Sequence, residues 1–162
     1  TEPNLASYSP TQAARFADAD AALARLADPD FDPMRAALVT ADVAWPKDAV
    51  PALPARLTFT RGGFKLEAKS PGPSVIVLPL QFSHCLASRV TAGDPDAHLI
   101  RVDLALTGLV FRREVAMDVQ YRRWPRGSVA CQAADYNEAS ALIKPNASLA
   151  GPTRDRLHPP AP

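Results

Sequence analysis

The sequence predicts an all-β protein, a jelly-roll-like β-sandwich with one short N-terminal α-helix and an irregular Pro-rich C-terminal tail. Three observations carry this. Period-two alternation recurs at Arg56–Thr60, at Phe64–Lys69 and from Glu114 to Arg122, as in half-buried strands. Turn signals divide the chain every 8–12 residues or so, the spacing of sandwiches and barrels. The 17 prolines against 7 glycines sit mostly at segment borders and argue against long helices.

At 162 residues the chain suffices for one domain with a proper core, burying roughly 70% of its unfolded surface. We expect that domain to span 1–144, followed by an extended tail over 145–162. The net charge of +1 supplies no strong field for nucleic acid or an acidic membrane surface. The chain opens on Thr1 and has no apolar run near the roughly 20 residues that cross a bilayer, which reads as a mature or excised fragment.

Gln12 to Phe16 reads as extended. A short helix is expected near 19–27: Asp18 or Asp20 can cap it, and Ala21, Ala22, Leu23, Arg25 and Leu26 suit its interior. Pro29 and Pro33 forbid its continuation, and Arg35 to Val43 is then rich enough in Ala, Leu and Val for a strand. Pro46, Pro51 and Pro54 mark a connection. Arg56–Thr60 and Phe64–Lys69 flank Arg61-Gly62-Gly63, which predicts a hairpin.

Ser70-Pro71-Gly72-Pro73 reads as a second turn. Ser74 to Phe82 is too continuously apolar for a half-exposed strand and predicts one covered on both faces, with Pro79 at a bulge or free edge. Leu86 to Val90 extends the sheet until Gly93-Asp94-Pro95-Asp96 turns the chain. The next strands are His98–Asp103 and Leu104–Phe111, broken near Gly108, then Val115–Tyr121. Asp135 to Ile143 suits a short helix. We find no internal repeat.

Little in this chain resembles catalytic machinery. His84, His98 and His158 are its three histidines. Gly93 to His98 offers two carboxylates and an imidazole, too few oxygens for calcium, and reads as a polar turn whose backbone Asp94 fixes. Ser83-His84-Cys85 aligns three reactive groups, but strand neighbours point to opposite faces and no convergence is implied. Neither cysteine belongs to a C-x-x-C element, so no metal site or cofactor is expected. Cys85 and Cys131 are either a disulfide stabilising by roughly 3–4 kcal/mol or two free thiols. Asn146-Ala147-Ser148 matches the glycosylation acceptor pattern.

The strongest polar feature joins Arg112-Arg113 with Arg122-Arg123-Trp124-Pro125-Arg126. Two such arginine-rich strand ends can meet around a phosphate, a carboxylate or an acidic glycan, with Trp124 stacking on a sugar ring. The plainer alternative has them solvate a sheet rim and pair with Glu114 and Asp118. Trp45 beside Pro46 reads as a loop-packing aromatic.

The order of these segments resembles that of a known family. Ala21–Val39, with its core Ala22-Leu23-Ala24-Arg25-Leu26-Ala27-Asp28-Pro29-Asp30-Phe31-Asp32-Pro33, resembles the segment before the last β-rich domain of bacterial YfhO-like membrane proteins. Leu57 to Cys85 is similar to that family's hairpin and apolar strand, and Leu99 to Trp124 to its last strands, ending here in Val119-Gln120-Tyr121-Arg122-Arg123. The family's tyrosine-proline-glycine-tryptophan turn is replaced by Phe82-Ser83-His84-Cys85. The resemblance implies a periplasmic or extracellular β-sandwich attached to a membrane-embedded core related to GT-C glycosyltransferases. The family's catalytic acid lies in that core, so the domain is expected to be non-enzymatic.

The expected function is that of an accessory domain engaging a glycan or acceptor, with Trp124, Arg122, Arg123 and Asp96 as contacts and no nucleic-acid partner. Two alternatives stand beside it: a structural or protein-interaction domain docking on a membrane partner, and a β-sandwich hydrolase with paired carboxylates.

Overall fold

The computed structural model describes residues 7–122 and 128–143. They form β1 (Gln12–Phe16), α1 (Ala19–Leu26), β2 (Ala36–Thr40), β3 (Arg56–Thr60), β4 (Gly63–Gln81), β5 (Leu86–Gly93), β6 (His98–Val102), β7 (Leu106–Tyr121) and α2 (Ser128–Leu142). The protein is β-rich, with two sheets and two helices. The Pro-rich tail and the Asn146 acceptor motif lie outside the described residues.

The first unit is a two-stranded sheet. β1 and β2 pair in parallel, from Gln12 opposite Ala36 to Phe16 opposite Thr40. Parallel neighbours need a crossover of a dozen residues or more, and α1 with its loop supplies it. Asp18 caps α1 by accepting from the amide of Ala21 at 2.9 Å.

The five-stranded sheet is built on two long antiparallel strands, β4 and β7. The hairpin β3–β4 forms as expected, Arg56 opposite Glu67 and Thr60 opposite Gly63. Ser70-Pro71-Gly72-Pro73, however, does not turn the chain. It is a bulge inside β4, with Ser70, Pro71 and Gly72 facing Arg113 alone between the Lys69–Glu114 and Pro73–Arg112 pairs. Prolines are tolerated there because the interrupted ladder asks for no amide hydrogen. The carbonyls of Lys69 and Pro73 are instead satisfied by the amides of Leu53 and Val50, each at 2.9 Å, from the proline-rich connection alongside. Pro79 sits at a second register shift, between Leu78 and Gln81.

β7 likewise runs unbroken through Gly108. A Cβ on that glycine would lie 2.9–3.0 Å from the side chains of Ile100 and Val102. The residue is small to admit β6, not to end a strand. β6 pairs with the first half of β7 and β5 with the second, so the two short strands form one interrupted neighbour along its length.

Ser74 to Leu78 is buried on both faces. On one side Ile76 and Leu78 join Leu66, Leu109, Phe111 and Met117 in the main core. On the other Val75 and Val77 meet Ala37 and Val39 of β2 with Ile100 and Val102 of β6. The small parallel sheet therefore covers the back of the large one, while Phe16, Ala22 and Leu38 form a third cluster towards α1.

Asp103, in the β6–β7 turn, ties these layers together. Its amide donates to the carbonyl of Leu38 at 2.9 Å, and Oδ1 accepts from the amide of Leu38 at 2.8 Å. Oδ2 accepts the Tyr8 hydroxyl at 2.5 Å, while Tyr8 bridges the free edge of β4 at Val77. Asp103 and Leu104 both take positive φ, 49° and 68°. Aspartate tolerates that conformation and the leucine, uncommon there, packs against the third cluster.

Burial, then the hydrogen bond to Asp103 and its charge, push the Tyr8 phenol well above its ordinary value of 10.0. A raised folded-state value keeps the proton where the unfolded chain loses it, so this stability is whole below pH 10 and declines as pH rises further. Tyr8→Phe is expected to cost about 1–2 kcal/mol in urea unfolding at pH 7 and to flatten the fall in stability above pH 10.

Candidate functional site

All three long lines of the large sheet break at one level. β4 bulges at Ser70–Gly72, β7 takes a positive φ of 60° at Arg113, and the β5/β6 line is interrupted from Gly93, φ 83°, to Ala97. Asp94 holds this seam. Its amide donates to the carbonyl of Glu114 at 2.9 Å, Oδ1 accepts the amide of Asp96 at 3.0 Å, and Oδ2 accepts that of Arg112 at 2.7 Å. A carboxylate so placed satisfies amides that the broken ladder would leave bare.

The break turns charged side chains onto one surface. Lys69, Arg112 and Arg113 are all exposed and line an open depression of about 570 Å³ with Ser70, Pro71, Gly93 and the carboxylates of Asp94 and Glu114. Among the described residues none of these three cations forms an ion pair, so Arg112 and Arg113 lie on the sheet surface without the pairing to Glu114 or Asp118 that the plainer reading gave them. Asp118 is engaged by Arg89 at 3.2 Å instead.

A second depression of about 260 Å³ adjoins the first, sharing Asp94 and Arg112. Its walls include Trp45, Asp96, His98 and Val110. The Trp45 indole packs against the small-sheet cluster and donates from Nε1 to the carbonyl of Thr11 at 3.3 Å. It is thus the loop-packing aromatic that was expected, and also a wall of the site. His98 Nδ1 lies 2.9 Å from the carbonyl of Asp96, orienting the ring on that rim.

Of the residues singled out from the sequence, Asp96 lies at this seam. Arg122 follows the far end of β7, its amide donating to the carbonyl of Cys85 at 2.9 Å. Some ten residues of strand, on the order of 30 Å, separate it from Arg112, so Arg122 and Arg112 do not meet. Arg123 and Trp124 lie outside the described residues. Lys69 and Trp45 were missed because neither carries a local signal. They reach the seam through strand pairing and a loop crossing.

A separate polar cluster surrounds α2. Cys85 and Cys131 form a disulfide, with 5.0 Å between Cα atoms across 46 residues. Ser83 Oγ donates to Asp135 at 2.5 Å, and the amide of His84 donates to the same carboxylate at 2.8 Å. His84 Nε2 lies 2.8 Å from Glu138, and Arg101 reaches Glu138 at 3.0 Å and Asp135 at 3.4 Å. The Arg101 guanidinium also stacks over Phe82, 4.9 Å from the ring centroid. Ser83 and His84 sit in a turn and not on a strand, which is why both can face one helix. α2 begins at Ser128, earlier than the expected Asp135, because Cys131 is part of the helix that the disulfide anchors.

No family model, no curated protein and no solved structure matches this chain.

Two outcomes follow from this geometry. A methyl group on Gly93 would sit 2.3 Å from the carbonyl oxygen of Glu114 at a strained φ, so Gly93→Ala is expected to lower stability by roughly 2–3 kcal/mol in chemical unfolding. Cys131→Ser is expected to cost roughly 3–4 kcal/mol and to release hydrogen-exchange protection in α2 before the sheet.

Proposed function

We propose that this protein is a non-catalytic extracytoplasmic binding domain whose seam holds an acidic glycan. The carrying observation is the set of three cations, Lys69, Arg112 and Arg113, that form no ion pair among the described residues, beside a depression walled by an indole and a carboxylate. Arginine forks recognise carboxylates bidentately, an indole offers an apolar face to a sugar ring, and Asp96 can accept hydroxyl hydrogen bonds. The packed layers agree with a jelly-roll-like sandwich carrying its ligand on a sheet surface.

The disulfide agrees with an oxidising compartment. Attachment to a membrane-embedded glycosyltransferase-like core is part of the same proposal and rests on the YfhO-like resemblance. No helix among the described residues is long and apolar enough to cross a membrane.

A second reading, a docking domain, is favoured by the outer face of α2. Val129, Tyr136 and Ile143 are 66–73% exposed, and both acidic residues of the helix turn towards the body. An exposed helix face with no charge suits a protein partner better than water.

The test is an array of uronic-acid and neutral oligosaccharides probed with the whole chain. Saturable binding to acidic sugars is expected, weakening with ionic strength and lost in Arg112→Ala and in Lys69→Ala. Trp124→Ala is expected to leave binding intact, and loss of binding in that variant would move the seat from the seam to Trp124 itself. A null result across the array would favour the docking reading.

A further inference from the structure

We propose that His84, Asp135 and Glu138 form a site for a divalent transition metal of the zinc class. One ligand atom from each residue lies within 4.8 Å of the other two. The chemistry is one imidazole nitrogen with two carboxylates, a set that suits zinc and offers too few oxygens for calcium. Asp135 and Glu138 stand three apart on α2, which puts both carboxylates on one face. The β4–β5 turn brings His84 to that face.

The His84–Glu138 edge of this triangle needs little rearrangement. Zinc bonds of roughly 2.0–2.2 Å in a tetrahedral arrangement separate two ligand atoms by about 3.3 Å. His84 Nε2 and Glu138 Oε2 are 2.8 Å apart, so an opening of about 0.5 Å between them admits the ion. The third ligand atom, up to 4.8 Å from the others, must close by as much as about 1.5 Å, and both carboxylates are already oriented. Asp135 accepts from the Ser83 hydroxyl and the His84 amide, and Glu138 is braced by Arg101. Such outer partners orient ligands before the ion arrives.

Arg101 sets the strength of the site. Its side chain is 17% exposed and approaches the carboxylates from the buried side, whereas His84 comes from solvent at 41%. The guanidinium relieves the repulsion between the two carboxylates in the metal-free protein, and its charge weakens cation binding. The site is therefore exchangeable rather than permanently filled. Three protein ligands leave a fourth position open beside the depression of about 360 Å³ lined by Phe82, Ser83, Arg101 and Tyr121. Bound metal would cross-link the β4–β5 turn to α2 alongside the disulfide.

The experiment titrates the oxidised whole chain with zinc by calorimetry and with cobalt(II) by visible spectroscopy. One equivalent is expected to bind with tetrahedral cobalt bands and to raise the melting temperature. His84→Ala is expected to weaken binding by more than the roughly 10–100-fold that losing a supporting partner costs. Because the disulfide still anchors α2, circular dichroism should show this variant folded. His98→Ala, at the seam, serves as the control and should bind like the unaltered chain. Absence of saturable binding, or binding unchanged in His84→Ala, would overturn the site. Either result leaves the glycan reading standing, since that reading depends on Lys69 and Arg112.

Discussion

The carboxylate of Asp94 is the constraint on which the rest of the large sheet depends. Where three strand lines turn irregular at one level, the backbone groups released from the ladder are held in place only if a nearby group pairs with them. Asp94 accepts the amides of Asp96 and Arg112 while its own amide serves Glu114. The proline-rich connection serves the bulge in β4 in the opposite sense, the amides of Val50 and Leu53 donating to the carbonyls of Pro73 and Lys69. With those groups satisfied, Lys69, Arg112 and Arg113 are free to face solvent instead of each pairing across a regular ladder.

Much of the fold was legible where local chemistry decides it. The cap, at Asp18 of the two candidate aspartates, the β3–β4 hairpin and the first five residues of the run Ser74–Phe82 expected to be covered on both faces each follow from adjacent residues; Pro79 and Gln81 are exposed instead. The misreadings share one cause. Ser70-Pro71-Gly72-Pro73 has the composition of a turn, and whether it turns or bulges is settled by the distant connection that hydrogen-bonds it. Gly108 looks like a break, yet its size answers to Ile100 and Val102 on the neighbouring strand. The parallel β1–β2 pairing is also non-local, set by how α1 packs back onto the sheet.

The candidate site was legible in part for the same reason. Asp96 and the arginine pair stand out by residue type, but which arginines share a surface depends on strand length. β7 separates Arg112 from Arg122, and it joins Arg112 to Lys69 and Trp45, which no spacing rule connects. The cluster at α2 is harder still, because His84 and Glu138 are 54 residues apart and meet only once the disulfide and the helix are in place.

The Cys85–Cys131 bridge also decides how this protein would carry load. Tension applied between the N-terminal strands and the end of α2 crosses from Cys85 to Cys131 through the sulfur bond. Residues 86–130 lie off that path, so β5, β6 and β7 bear no direct pull and cannot be drawn out while the bond holds. The force falls on β4 and on the Tyr8–Asp103 contact, where the layers would part first. Under such a pull the protein would yield first at its N-terminal edge, with the strands inside the sulfur loop left in register.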